Sequence, residues 1–289
     1  LRPTDIESRK MQPLLPSLIR VTILAICLIG FSFAPASALA LDPNSSDARK
    51  IMAAVEGRDK GDKVVSRMKF VVEDSRGRQR VRAVQSRSMN FPGGTKQLMI
   101  FEHPADVRNT GLLSIDYDDG AKDDDQWLYL PSLHKSTRIS SSGKSGAFMG
   151  TDLTYSDMTA RDPKNYDYKI LQASAKVGEE DCWLIEARPR TAKEKEETGY
   201  VKTQLWISKE KILPVQGKMW VREGKKIKYL KFGDLEKIDG IWMAKRITAR
   251  TVRNKKVEST TVITMEELKL NQQSVTDQDF SQSRLQQGI

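Results

Sequence analysis

A mostly β chain, its strands following one another in an antiparallel meander that closes as a barrel or curls strongly, is the fold class this sequence predicts. Three observations predict it. From Val64 onward apolar residues recur at every second position, the period of a half-buried strand. Short polar turns join these runs, as in Val221-Arg222-Glu223-Gly224-Lys225 and Lys237-Ile238-Asp239-Gly240. No helical run long enough for a crossover stands between them, which argues against a parallel sheet.

Taken in order, the elements begin with a short helix. Asn44-Ser45-Ser46-Asp47 offers N-cap side chains, and Ile51, Met52 and Val55 recur at helical spacing up to Gly57. The period then changes to two. A strand at 64–72 runs into the turn Asp74-Ser75-Arg76-Gly77, and a strand at 80–85 returns from it. Further strands are expected at 96–101, 111–117, 126–130, 167–173, 181–187, 202–208, 214–221, 226–232, 241–250 and 257–265. No linker divides them, so residues 41–289 read as a single domain.

The middle of the chain breaks this rhythm. Gln126-Trp127-Leu128-Tyr129-Leu130-Pro131 is a short aromatic strand ending in proline, and a basic Ser/Gly linker follows at 135–146. Within it, Ser140 to Ala147 is small-residue loop chemistry, and Phe148-Met149-Gly150 then sets two large apolar side chains at its end. Two readings stand. Phe148 and Met149 plug the core, or they cover a hydrophobic cavity as a mobile flap, a role that the adaptable Met side chain suits.

The N-terminus reads as an export signal. Arg9, Lys10 and Arg20 precede an uncharged run from Val21 to Phe33, and Ala36-Ser37-Ala38 and Ala38-Leu39-Ala40 both fit the small-residue cleavage pattern. The run of 13 residues is short of the ~20 that span a bilayer. Residues 1–40 are therefore read as a removed signal peptide, with Met11 as an alternative start, and the protein as periplasmic. Ile26 before Cys27 is too bulky for a lipoprotein signal. Removal leaves Cys182 as the one cysteine, so no internal disulfide forms, and its apolar strand setting reads as a buried inert thiol. Net charge goes from +10 to +8. The basic residues are scattered, with no nucleic-acid module, and suit anionic headgroups, an acidic partner or a plain solvated surface.

Catalytic and cofactor signatures are weak. Gly143-Lys144-Ser145 ends like a phosphate-binding loop, but Arg138 stands where the first glycine belongs. His103 and His134 are the only histidines, and neither has a second ligand at helical spacing, so no metal or other cofactor is expected. The acidic run from Asp116 to Asp125 has its glycine one place early for a calcium loop and lacks the closing glutamate, so a solvated hairpin tip is the better reading. The chain does not read as an enzyme.

Several segments carry a family resemblance. Phe101-Glu102-His103-Pro104 leads to Thr110-Gly111-Leu112-Leu113, Asp124 to Pro131 forms the aromatic strand with Arg138-Ile139 as its basic exit, and Phe148-Met149-Gly150-Thr151-Asp152-Leu153-Thr154-Tyr155-Ser156-Asp157 follows. These resemble the outer-membrane lipoprotein-sorting, LolA-like family, with Asn109 in place of a glycine and Thr151-Asp152-Leu153 in place of Ser-Asp-Phe. The resemblance implies a curled antiparallel sheet, an incomplete β-barrel, with short helices packed in its concave face. It also implies a non-enzymatic periplasmic carrier that binds acyl chains of a lipoprotein or lipid and shuttles them toward the outer membrane. An alternative is an accessory or sensor subunit of a lipid transporter, with an inner-membrane transporter as partner. Met99, Phe101, Leu113, Trp127, Tyr129, Phe148, Met149 and Tyr155 are the candidate cavity lining. Phe148→Asp is expected to cost lipid retention but little folding.

Overall fold

The structure, a computed structural model, describes residues 41–120 and 122–288; the expected signal peptide lies outside them. Leu41–Ile289 forms one compact unit. Its first element is the helix α1 (Ala48–Glu56), capped by the Asp47 carboxylate, which accepts from the backbone N–H groups of Arg49 and Lys50 at 3.0 Å. Its apolar side, Ile51, Met52 and Val55, packs on Trp183, Ile185 and Ile207.

Thirteen strands form one antiparallel sheet. They are β1 (Lys63–Asp74), β2 (Gln79–Phe91), β3 (Gly94–His103), β4 (Gly111–Tyr117), β5 (Asp125–Leu130), β6 (Lys135–Arg138), β7 (Tyr166–Val177), β8 (Glu180–Pro189), β9 (Tyr200–Ser208), β10 (Pro214–Val221), β11 (Lys226–Ile238), β12 (Ile241–Arg253) and β13 (Lys256–Lys269). Every predicted strand falls inside an observed one. The order across the sheet is β6-β5-β4-β3-β2-β1-β13-β12-β11-β10-β9-β8-β7, so β6 and β7 are the edges and the barrel stays open.

This order has one non-meander pairing, β1 with β13. The chain starts mid-sheet, walks by hairpins to the edge at β6, then has to reach the opposite edge at β7 before walking back. Residues 139–165 make that journey across the inner, concave face. The expected linker is therefore a built element. Its start pairs as the strand β6 with β5. Ser141–Ser145 forms a 3-10 turn whose cap, Ser140 Oγ, accepts from Gly143 N–H at 3.2 Å, and Lys144 is buried. Tyr155–Met158 is a second such turn, closed by a reciprocal Thr154–Asp157 capping box.

The segment is fastened by a buried carboxylate. Asp152, 3% exposed, accepts hydrogen bonds from the hydroxyls of Thr251 on β12 and of Ser259 and Thr261 on β13. Its own N–H donates to Thr261 Oγ1 at 2.9 Å. A buried carboxylate survives in a core when donors of this kind replace water.

Two helices escaped the sequence reading. The helix α2 (Ala192–Thr198) carries no large apolar residue to mark a face, and only its Thr191 cap and Gly199 in the left-handed region announce it. The helix α3 (Gln282–Gln287) is too short for a periodic signal. With Val275 and Phe280, its Leu285 covers Leu98, Ile100, Leu113 and Tyr129 on the outer face of the sheet, opposite the crossing segment.

Two stability measurements test this packing. A Cβ at Gly111 would lie 2.5 Å from Leu285 Cδ1 and 2.7 Å from Ile100 Cδ1. Gly111→Ala is expected to cost about 1–3 kcal/mol in urea unfolding, and Leu285→Ala in that background to cost less than it does alone. Asp152→Ala leaves three hydroxyl donors on the sheet without their acceptor. It is expected to lower stability by about 3 kcal/mol; a loss under ~1 kcal/mol would show that the segment is held elsewhere.

Candidate functional site, the plugged inner face of the sheet

Phe148 is the wedge of the crossing segment. It is fully buried, with its ring centre 6.4 Å from Phe70, 5.9 Å from Phe101 and 5.6 Å from Tyr155. Around this aromatic group stand Met68 on β1, Val84 on β2, Met99 on β3, Leu112 on β4, Leu153 and Ile263. Strand alternation explains why these residues meet, because side chains two apart share a face.

The turn after the wedge is tight. Met149 holds φ at +48°, a left-handed conformation uncommon outside glycine. Two arginines of β2 secure its carbonyls: Arg82 donates to Met149 O and Arg80 to Gly150 O at 3.3 Å. The Arg82 guanidinium also lies 5.8 Å from the Phe101 ring centre. Burial, with Arg80 beside it, holds its pKa below the ordinary arginine value.

A second polar fastening lies at Asp157. Its carboxylate accepts from Tyr200 Oη at 2.7 Å and from Thr154 N–H at 2.9 Å, and pairs with Arg161 at 3.4 Å. Lys228 Nζ, buried below its ordinary pKa, donates to Tyr200 Oη at 3.4 Å. Gln126 Nε2 donates to Tyr155 O at 2.9 Å and ties the segment to β5.

The eight sequence-selected residues fall into two groups. Met99, Phe101, Phe148, Met149 and Tyr155 gather in the inner cluster. Leu113, Trp127 and Tyr129 belong to the cluster under the C-terminal cap, on the other face. The parity of β4 and β5 separates them: Leu112 points inward and Leu113 outward, and Trp127 stands opposite Leu113. Sequence reasoning missed the fastenings Asp152, Asp157, Arg80 and Arg82. One signal was present, since Thr251, Ser259 and Thr261 place hydroxyls at inward positions of otherwise alternating strands. Cys182 is buried, which pushes its thiol up to about 11.

A separate cavity of about 560 Å³ has walls of mixed polar and apolar character, and none of the eight residues lines it. Asp116, Asp124, Lys144, Arg161, Glu194 and Glu197 are among its walls. Lys144 Nζ is 3.8 Å from Glu197. Asp116 Oδ2 accepts from Ala160 N–H at 3.1 Å, while Oδ1 has no hydrogen-bond partner among the described residues. Burial, with Asp124 adding repulsion, pushes Asp116 up to about 7. In the acidic hairpin, Asp123 pairs with Lys193 and Asp125 with Arg138. Among the described residues no group of three or more His, Cys, Asp or Glu side chains is placed to hold a metal ion.

The raised Asp116 has a pH signature. A carboxyl whose folded pKa lies above its unfolded value binds its proton more readily when folded, so stability falls as pH rises from about 4 to about 7. Urea unfolding across that window is expected to show a shallower decline in Asp116→Asn than in the native protein. Equal slopes would mean that Asp116 does not titrate there.

Comparisons with known proteins place this architecture. A crystal structure of a domain from Vibrio parahaemolyticus, named for a proposed role in outer membrane lipoprotein sorting, is 27% identical with a TM-score of 0.74, covering 83% of this chain and 98% of that one. A DUF1329 family protein from Desulfovibrio piger is 28% identical with a TM-score of 0.74, covering 84% and 99%. A LolA superfamily protein from Nitrosomonas europaea shares the fold at 18% identity and a TM-score of 0.62, covering 83% and 100%. No curated protein matches the chain. A family model described as "Uncharacterized protein" matches residues 93–287. The chain belongs to the family of that model, and its fold is LolA-like.

Proposed function

We propose that this protein is a non-enzymatic periplasmic carrier that takes an acyl chain of a lipid or lipoprotein between the sheet and the crossing segment and conveys it toward the outer membrane. One observation carries the reading. The inner face of an open sheet is apolar along β1 to β4 and on across β13 to β9, and what fills it is a separate segment held by the burial of Phe148 and Leu153 and by polar contacts, not a second sheet. Phe148 occupies the space that a chain would take. Met99, Phe101, Phe148, Met149 and Tyr155 line that space, and Leu113, Trp127 and Tyr129 lie beyond it, on the outer face.

The energies match. Withdrawing a buried Phe side chain costs about 3–5 kcal/mol, and each lipid methylene moved out of water returns ~0.8 kcal/mol. Roughly six methylenes offset the displaced wedge, fewer than an ordinary acyl chain has. In this reading the crossing segment stands in its closed position. Residues 1–40 act as the removable leader, and residues 41–289 as the single carrier domain. No helix among the described residues is long and apolar enough to cross a membrane. The burial of Phe148 also revises the expectation for Phe148→Asp, because an unpaired carboxylate in that site costs folding as well as binding.

Organic extraction and mass spectrometry of the purified protein are expected to find acyl lipid in stoichiometric amount, or empty protein that takes up an acyl fluorophore. Protein that does neither rules the carrier out. Asp152→Ala loosens the crossing segment and is expected to speed fluorophore uptake about tenfold, as ~1.4 kcal/mol off an opening barrier would. An unchanged rate would make the segment static core.

A further inference from the structure

The outer face of the sheet from β9 to β12 presents cations among aromatic rings. Register places Lys202, Trp220, Ile227 and Val252 in one cross-strand row, and Gln204, Lys218, Tyr229 and Arg250 in the next. Lys231 stands between Gln216 and Thr248 in the third row. The Nζ atoms of Lys202 and Lys218 lie 4.3 and 4.6 Å from the centre of the Trp220 ring, and that of Lys218 lies 5.8 Å from the centre of Tyr229. These contacts fix all four side chains on one face. Tyr229 is 37% exposed, while Lys228 and Leu230 on either side of it are buried in the opposite direction.

The charge on this face is unbalanced. Its carboxylates are already engaged: Glu186 pairs with Lys202 at 3.3 Å, and Asp234 with Arg246 at 2.8 Å. Among the described residues Lys218, Lys231 and Arg250 have no acidic side chain within ion-pair distance, although the protein holds over twenty such pairs elsewhere. Lys69 of β1, opposite Thr264, adds a cation at the border of this surface, and Glu73 of the same strand, bonded to Gln79, adds a carboxylate in the row of Arg250. Among the described residues Lys231 and Arg250 have neither an acidic partner nor a ring contact, and like charges on neighbouring strands repel one another.

We propose that this face docks on the surface of an anionic lipid bilayer. Headgroup charge satisfies a dispersed set of unpaired Lys and Arg, each contributing about 1 kcal/mol near an anionic leaflet. Trp and Tyr rings with one polar edge partition to the headgroup level. A folded acidic protein would meet cations concentrated at discrete pairs, whereas these stand one per strand across a broad sheet. The docking holds whether or not the interior carries an acyl chain, since it uses the opposite face from Phe148.

Sedimentation of the purified protein with vesicles separates the outcomes. Binding is expected to vesicles of phosphatidylcholine mixed with phosphatidylglycerol, not to phosphatidylcholine alone, and to vanish in about 1 M salt, where screening cuts in at ~3 Å. The triple variant Lys218→Gln, Lys231→Gln, Arg250→Gln is expected to bind about 100-fold more weakly. A control with the same charge change on other elements, Lys50→Gln, Lys176→Gln, Lys195→Gln, is expected to bind as the native protein does. Absence of anionic-vesicle binding overturns the proposal, as does equal binding to neutral vesicles or an equal loss in the control. Retention of an acidic protein without vesicle binding overturns it too. Acyl-fluorophore uptake in the triple variant is expected to be unchanged, which keeps a failure of docking distinct from a failure of carriage.

Discussion

The whole interior depends on one topological demand: the chain must travel from β6 at one edge of an open sheet to β7 at the other. Pairing β1 with β13 puts the beginning and end of the sheet side by side in its middle, so neither edge can be reached from the other by a hairpin. A loop sent through solvent would leave the inner face uncovered. The chain instead runs across that face and fills it, which turns a connection into the core. Because its backbone is neither strand nor long helix, its polar groups need partners supplied from the sheet, and Asp152, Arg80, Arg82 and Gln126 are where that need is met.

This arrangement separates two kinds of adhesion. Phe148 and Leu153 contribute nondirectional burial, which an apolar guest could replace almost in kind. Asp152 with its three hydroxyls, and Asp157 with Tyr200, contribute directional contacts that hold the segment at a set place and that a guest cannot reproduce. A segment held in this way has a defined closed position, with Phe148 filling the place that the carrier reading assigns to a guest. That combination is the physical basis of the carrier reading.

The two faces of the sheet carry different assignments. Inward positions of β1 to β4 hold much of the apolar cluster, outward positions of β3 to β5 are sealed by the C-terminal cap, and outward positions of β9 to β12 carry Lys218, Lys231 and Arg250 without ion-pair partners among the described residues. Such a division explains why an aromatic strand such as β5 contributes Gln126 to the crossing segment's fastening while its Trp127 and Tyr129 pack elsewhere.

Alternation of apolar side chains, polar turns and the Asp47 cap were enough to place every predicted strand and the first helix, because those signals are local and act within a few residues. The family-like run from Gln126 to Asp157 likewise marks the unusual part of the chain. The sequence left open which way each strand faces the interior, since a period of two leaves its phase undetermined until neighbours pair; Leu113, Trp127 and Tyr129 turned on that choice. It also hid the order from Ser140 to Ala147, whose turn is capped by Ser140 and packs against the helix α2, where Lys144 meets Glu197. Tertiary structure alone decided that Phe148 is buried and that Asp152 is its anchor, because each rests on residues distant in sequence meeting across the sheet.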